Sequence, residues 1–359
     1  AAPKALWEFT DTNLGYTYGN PTITKLGDGT WVVLVTSGYN NVSPGDGVGR
    51  LYVLNAGTGA LIREISTGVG SVATPSGLAR ISAWVENTTA DNTALRAYGG
   101  DMLGNLWRFD INDNVGASGY DAQRLTTLYT SVAGTVTQPV TTRPELGVCG
   151  GEAVVFVGTG RYLGATDLTD TSLQSFYAVK DSLSSTALGN PKGGTSTFVN
   201  QSLTNTTCPA GSPATICTTG QSVRTSSSNT VNFAVNDGWY IDLPDSGERA
   251  NNDPTLALGT LGWTTNIPNT SACTAGGYSY RYLVNYCTGA PVSTSTTGVT
   301  AIKLGNALST RGVFVRLPNN TVVQLTRLSD GTTLTTNVPI GTGIAPTRRV
   351  SWRELIQDQ

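Results

Sequence analysis

The sequence predicts an all-β protein, a ring of small antiparallel sheets of the propeller kind. Three observations predict it. Helical periodicity is nearly absent over the 359 residues. Short β-branched and aromatic runs alternate instead with Gly, Asn, Asp and Pro, which is strand-and-turn patterning. These runs also recur as a unit of several short strands, the form in which propeller blades show themselves in sequence.

The runs are TWVVLVTSG (30–38), RLYVLNAGTG (50–59), ALRAYGGDMLGNLWRFDI (94–111), AVVFVGTGRYLG (153–164), SFYAVKD (175–181) and GWYIDL (238–243). A strand ending in glycine (VVLVTSG, LRAYGGD or VVFVGTG) precedes, after a loop, a strand of the form LYVLNA, LWRFDI or FYAVKD. The second strand is expected to start at 51, 106 and 176. A Pro-bearing segment opens each unit: NPTITKL (20–26), TPSGLARI (74–81) and QPVTTRPEL (138–146). Loops such as NNVSPGDGVG (40–49) and NDNVGASGYDA (112–122) absorb the unequal spacing. Residues 183–230 are dominated by Ser, Thr, Asn and Gly and read as a low-complexity insertion, ordered only where it packs on the blades. Strand patterns resume at VNFAVNDGWYIDLPD, LGTLGWTTNIP, YSYRYLVNY, VTAIKL and TRGVFVRLP, and TRRVSWRELIQDQ reads as a closing segment. A single domain over 1–359 is the expectation.

Composition narrows the function. Glycine is 43 of 359 residues, and charged residues are 13% against a usual ~25%. The polar surface must therefore come from Ser, Thr and Asn. A net charge of −2 offers no basic excess to release counterions from a phosphate backbone, which argues against a nucleic-acid partner. Histidine is absent, so there is no His triad, no His general base and no His-ligated transition metal. Carboxylate, amide and hydroxyl chemistry remains, which suits binding and hard ions such as calcium. No apolar run of about 20 residues could span a bilayer. The start AAPKALWEF shows no leader and reads as a processed product or an excised domain.

Five cysteines stand at 149, 208, 217, 273 and 287. Cys208 and Cys217 bracket CPAGSPATIC, and Cys273 and Cys287 bracket CTAGGYSYRYLVNYC. Neither pair has the CxxC spacing of zinc or redox sites. Local disulfides in an exported protein are the better reading, each contributing about 2–4 kcal/mol. Cys149 is left over, and a pairing that uses it stays open.

The ordered set VLVTSGYNN, RLYVLNAGTGALIREISTG, YGGDMLGNLWRFDI, TQPVTTRPEL, VVFVGTGRYLGATDLTDTSLQSFYAVKD, GWYIDLPDSGERANNDP, TTNIPNTSACTAGGYSY and RRVSWREL resembles the C-terminal propeller of the PilY/PilC family. These are type IV pilus tip adhesins and biogenesis factors. The likeness covers nearly the whole chain and is weakest over 183–230. Its most specific element is GGDMLGNLWRFD, with Gly99, Gly100, Asp101, Gly104, Asn105 and Trp107 as motif residues. The resemblance implies a modified propeller of about seven blades with long inserted loops. It implies export through the periplasm to the pilus tip or cell surface, and carriage there by an N-terminal region, often von Willebrand A-like, that this chain lacks. It implies non-catalytic attachment to a host or abiotic surface, opposition to pilus retraction, and minor pilins as partners in the tip complex, with no cofactor. The family often carries a DxDxDxxxD calcium loop before the YGGD-like strand. Aligned on YGGD, its five positions fall on Asn87, Thr89, Asp91, Thr93 and Leu95. Only Asp91 is a carboxylate, and calcium takes six to eight oxygens, so the loop reads as a degenerate calcium site serving as a polar turn.

Two other functions share this grammar. A quinoprotein-like dehydrogenase would explain turns such as NAGTG (55–59), yet no adjacent cysteine pair occurs. A carbohydrate-binding, lectin-like propeller is the other alternative, since the tryptophans invite a carbohydrate-stacking reading. SPGDGVGR (43–50) lacks the GK[ST] ending of a phosphate loop and reads as a hairpin turn. Asp167 with Asp170, and Asp245, Glu248, Arg249 and Asp253, read as turn-forming groups. Glycoside hydrolysis would need two acids facing one cleft. The seven tryptophans (7, 31, 84, 107, 239, 263, 352) are expected between blades. The Tyr-rich run 278–286 is the candidate contact surface.

Overall fold

The computed structural model describes residues 5–86, 91–115, 119–213, 216–270, 276–292 and 297–340. Their regular structure is strand, apart from one 3-10 turn at Ala165–Thr169. The described residues divide into two compact units, one formed by residues up to 128 with 183–189, the other by 129–182 with 190–340.

The first unit holds two four-stranded sheets. One takes β1 (Thr22–Lys25), β2 (Trp31–Thr36), β3 (Arg50–Asn55) and β4 (Leu61–Ser66) in that spatial order. The other takes β5 (Arg80–Val85), β6 (Ala94–Gly100), β7 (Asn105–Asp110) and β8 (Ala122–Thr127) in the same way. The repeat is thus real: β2 and β6 are the glycine-ended strands, and β3 and β7 are the partners. The inner strands are covered on both faces, which is why LYVLN and LWRFD are near-continuous apolar runs rather than alternating ones. The outer β4, LIREIS, is exposed at all but Ile65. The core joins Val32, Leu34, Leu51 and Val53 to Ile81, Ala97, Trp107 and Phe109.

The second unit begins with β9 (Glu145–Cys149), β10 (Glu152–Gly158) and β11 (Ser175–Asp181). The strands β12 (Val199–Asn200), β13 (Leu203–Thr207), β14 (Ser222–Ser226) and β15 (Gly238–Asp242) follow. Next come β16 (Thr255–Ala257), β17 (Thr260–Pro268), β18 (Gly277–Asn285) and β19 (Val299–Gly305). The last are β20 (Val313–Arg316), β21 (Val322–Arg327) and β22 (Thr333–Asn337). They form sheets in the orders β12-β15-β11-β10-β9, β13-β14-β19-β18-β17-β16 and β20-β21-β22. Five sheets therefore stand among the described residues, against the seven or so that the resemblance implies. The Ser/Thr/Asn-rich stretch supplies β12, β13 and β14, and β14 pairs with β19 inside the six-stranded sheet.

An aromatic column holds this unit together. Phe176 stacks on Trp263 at 4.0 Å between ring centroids, and Trp263 on Tyr282 at 4.8 Å. Of the tryptophans expected in the interior, Trp84, Trp107, Trp239 and Trp263 are buried. Trp31 departs from that expectation at 50% exposure, and Trp7 is half-buried against the Gly59 turn. Trp352 lies outside the described residues. The Tyr-rich run is not a contact surface: it forms β18, flanked by β17 and β19, and is buried from Ser279 to Leu283 and at Val284.

Cys208 and Cys217 are joined as expected. The expected partner of Cys287 was Cys273, and here the structure differs. Cys287 is bonded to Cys149, 138 residues away and 5.4 Å between Cα atoms, while Cys273 lies outside the described residues. The reason is sheet packing. The turn after β18 lies against the end of β9, where the Tyr286 hydroxyl donates to Val148 O at 3.0 Å, so proximity in space rather than in sequence selects the pair.

Candidate functional site

The motif GGDMLGNLWRFD closes the β6–β7 hairpin around one buried carboxylate. Gly104 supplies a φ of +82°, and a Cβ on Gly99 would stand 2.9 Å from Ile81 Cγ2. Asp101, fully buried, accepts from Leu103 N at 3.0 Å and Asn105 N at 2.8 Å on Oδ1. Its Oδ2 accepts from Asn105 Nδ2 at 3.0 Å and Trp107 Nε1 at 2.9 Å, with Ser76 Oγ at 3.3 Å. Burial pushes the carboxyl up, and the donors from Asn105 and Trp107 oppose the rise. Asp101, Asn105 and Trp107 thus spend these polar groups on the turn itself.

The calcium alignment fares similarly. Asn87 and Thr89 lie outside the described residues. Asp91 Oδ1 is held by Lys25 Nζ at 2.6 Å and by Thr93 N at 3.1 Å, and the Thr93 hydroxyl reaches both carboxylate oxygens at 2.9 Å. Lys25 first, then Thr93, keeps the carboxyl below its usual range. An ammonium already stands where a cation would need the only carboxylate, and Leu95 offers no side-chain oxygen. These residues do not fit a calcium ion.

Two further polar clusters lie in the second unit. Arg224, brought inside by β14, donates from Nη1 to both oxygens of buried Glu248 at 2.8 Å and to the Tyr282 hydroxyl. Its Nη2 stands 2.8 Å from Asp245, and its guanidinium lies 3.6 Å over the Tyr280 ring. Burial alone would lower the guanidinium, but Tyr282, Glu248 and Asp245 outweigh it and hold the charge on. The second cluster looks like a Ser–Lys pair. Ser175 Oγ receives Lys192 Nζ at 2.9 Å and Gln138 Nε2 at 2.9 Å, and donates to Asp242 Oδ1 at 2.6 Å. Burial draws the Lys192 ammonium down, and Asp242, at 2.6 Å, opposes it. The hydroxyl is fully buried with its lone pairs taken, so it is not presented to a substrate.

One site leaves polar groups unspent. Residues 249–252 run beside β17 through an antiparallel bridge between Arg249 and Asn266. The chain after β19 is bridged to the end of β21 at Ser309 and Leu328. Between them lies a groove of about 510 Å3, lined among others by Tyr162, Asn251, Asn252, Asn266, Ser309 and Arg327. The loop carrying Tyr162 is fixed by the Arg249 guanidinium, which donates to Arg161 O, Asp167 O and Asp170 O at 3.0, 2.6 and 3.0 Å. Asp167 and Asp170 accept backbone donors of their own turns, as the sequence suggests. Sequence reasoning did not single out Tyr162, Asn251, Asn252 or Arg327. The pair Asn251–Asn252 inside ERANNDP was the one visible signal.

The chain is similar to known proteins in sequence and in fold. Residues 7–210 match the family described as PilY1 beta-propeller domain. The chain is 30% identical over 376 residues to a type IV pilus biogenesis factor PilY1 homolog of Xylella fastidiosa, covering 99% of this chain and 28% of that protein. It is 28% identical over 325 residues to type IV pilus biogenesis factor PilY1 of Pseudomonas aeruginosa, covering 81% of this chain and 27% of that one. The chain therefore spans between a fifth and somewhat over a quarter of the curated relatives it matches. In three dimensions it is similar to the crystal structure of the P. aeruginosa PilY1 C-terminal domain. The TM-score is 0.69 at 21% identity, over 92% of this chain and 74% of that one. Among the described residues no helix is long and apolar enough to cross a membrane.

Proposed function

Because the chain belongs to the PilY1 beta-propeller family, we propose that it is a non-catalytic recognition module of a type IV pilus, serving surface attachment and pilus biogenesis. The observation that carries this reading is the contrast among its polar clusters. Asp101, Glu248 and Ser175, which stand in the polar clusters with the chemistry of an acid, base or nucleophile, are buried and bonded. The groove at Asn251–Arg327 instead offers amides and a guanidinium at the surface. Binding needs such groups; group transfer would need the buried ones exposed. On this reading the module works outside the cell, at or near the pilus tip after passage through the periplasm. A host or abiotic surface is its ligand, and minor pilins are its neighbours. Two disulfides suit an oxidising compartment.

In-frame removal of this segment from the parent gene tests the proposal. Surface pili, twitching and attachment should all fall, and surface pili should return when retraction is also disabled if the module opposes retraction. Unchanged piliation, twitching and attachment would contradict the reading.

A further inference from the structure

The geometry points to the groove as a binding site for an acidic saccharide of the uronate kind, an inference that rests on the recognition role just proposed and names its ligand class. A volume of about 510 Å3 lies within the ~300–1,000 Å3 of small-molecule sites. Its walls set amides, hydroxyls and a guanidinium among apolar surface from Tyr162, Leu308 and Leu328, so its ligand carries both polar groups and a C–H face.

Which polar groups remain for a ligand follows from the bonds already made. Ser309 O accepts from Asn266 Nδ2 at 3.1 Å and from Asn252 Nδ2 at 2.9 Å, which uses both its lone pairs. A carbonyl accepts only from nitrogen here, so both amides are oriented without ambiguity. Ser309 N, donating to Asn266 Oδ1 at 2.7 Å, says the same of Asn266 from its other end. The remaining hydrogen of Asn252 Nδ2 goes to Thr264 Oγ1 at 2.9 Å. That of Asn266 Nδ2 goes to Asn251 Oδ1 at 3.0 Å, which turns the nitrogen of Asn251 away. Among the described residues Asn251 Nδ2 then has no acceptor and Asn252 Oδ1 no donor. Adjacent residues present one donor and one acceptor, the two functions that a sugar hydroxyl answers at once.

Two more features complete the ligand. Tyr162, 39% exposed, sets an aromatic ring at the groove for the C–H face of a pyranose. Arg327 closes β21 with an exposed side chain. Arg50, Arg161 and Arg224 each stand within 2.8 Å of a carboxylate, whereas Arg327 has no acidic partner among the described residues. No Asp or Glu lines the groove. An unopposed guanidinium selects a carboxylate, which it meets with two parallel hydrogen bonds. Hydroxyls, a C–H face and one carboxylate on a single small ring describe a hexuronic acid.

Calorimetric titration of the 359-residue chain with tri-galacturonate, and separately with its methyl ester, tests this. The ester keeps the skeleton and removes the charge. Saturable binding of tri-galacturonate is expected, weakened about tenfold or more for the ester and for Arg327→Ala, since charge-assisted bonds are worth that much. Arg327→Lys, which keeps the charge and loses the fork, should fall between. The unfolding midpoint of each variant confirms that it is folded. No saturable binding of tri-galacturonate, or equal binding of the ester or of Arg327→Ala, would overturn the assignment. The outcomes also separate the two proposals. Loss of attachment on removing the segment, without saccharide binding, sinks the groove and leaves the pilus role. Saccharide binding with piliation and attachment untouched does the reverse.

Discussion

The Asp101 turn and the Asn251–Arg327 groove are both assembled from short polar side chains at strand ends, and they differ in what is left over. At Asp101 both carboxylate oxygens are met by backbone, amide, indole and hydroxyl donors, and water is excluded. At the groove the buried Asn266 spends its bonds on holding Asn251 and Ser309, while Asn251 keeps its Nδ2, Asn252 its Oδ1 and Arg327 its guanidinium. Burial forces a polar group to find partners because an unpaired one costs several times what a paired one gains. The motif that stands out in the sequence is therefore the one that builds the fold. The binding groups stand where water has been paying that cost and a ligand can replace it.

This contrast predicts where substitution hurts. Glu248→Gln should have the largest effect, about 3–5 kcal/mol of lost stability in urea or guanidinium unfolding, because it breaks the fully buried Arg224–Glu248 pair and leaves the guanidinium only the less buried Asp245 as a carboxylate partner. Asp101→Asn should follow at about 2–3 kcal/mol, since its new NH2 would face donors from Asn105 and Trp107. A loss below about 0.5 kcal/mol in either would show that the closed clusters do not carry the fold.

Arg281 sharpens the comparison as its exception. It is buried, donates to the Thr336 hydroxyl, and has no acidic partner among the described residues. Burial draws its guanidinium down to about 10. Arg281→Met should accordingly be neutral or stabilising by about 1–3 kcal/mol, and a loss of that size would mean the charge has a partner in the folded protein. The smallest effect is expected from calcium. With Lys25 on Asp91, millimolar calcium should leave the melting temperature where it was. A rise abolished by Asp91→Ala would restore the calcium loop.

The sequence makes the strands legible because each glycine-ended strand pairs with the next one in the chain, so local pattern and sheet order agree. The expected starts at 51, 106 and 176 lie one residue inside β3, β7 and β11. What is not legible is whatever depends on distant elements. Cys149 and Cys287 are 138 residues apart, and no spacing rule joins them. Arg224 sits in SVRTS, where a Ser/Thr-rich composition hides a buried strand. The groove draws Tyr162, Asn251, Asn252 and Arg327 from three segments, which the bridges at Asn266 and Leu328 and the Arg249 guanidinium bring together. Asp91 and Thr93 form a turn, as their composition suggests, but the cation on Asp91 comes from Lys25, 66 positions earlier.

The most direct measurement is a paired one on Arg327→Ala, chemical unfolding beside tri-galacturonate titration. A group kept for a ligand contributes little to folding, so the unfolding free energy should stay within about 0.5 kcal/mol while the affinity falls about tenfold or more. A clear loss of stability with affinity unchanged would make Arg327 one more structural arginine and the groove an ordinary crease in the surface.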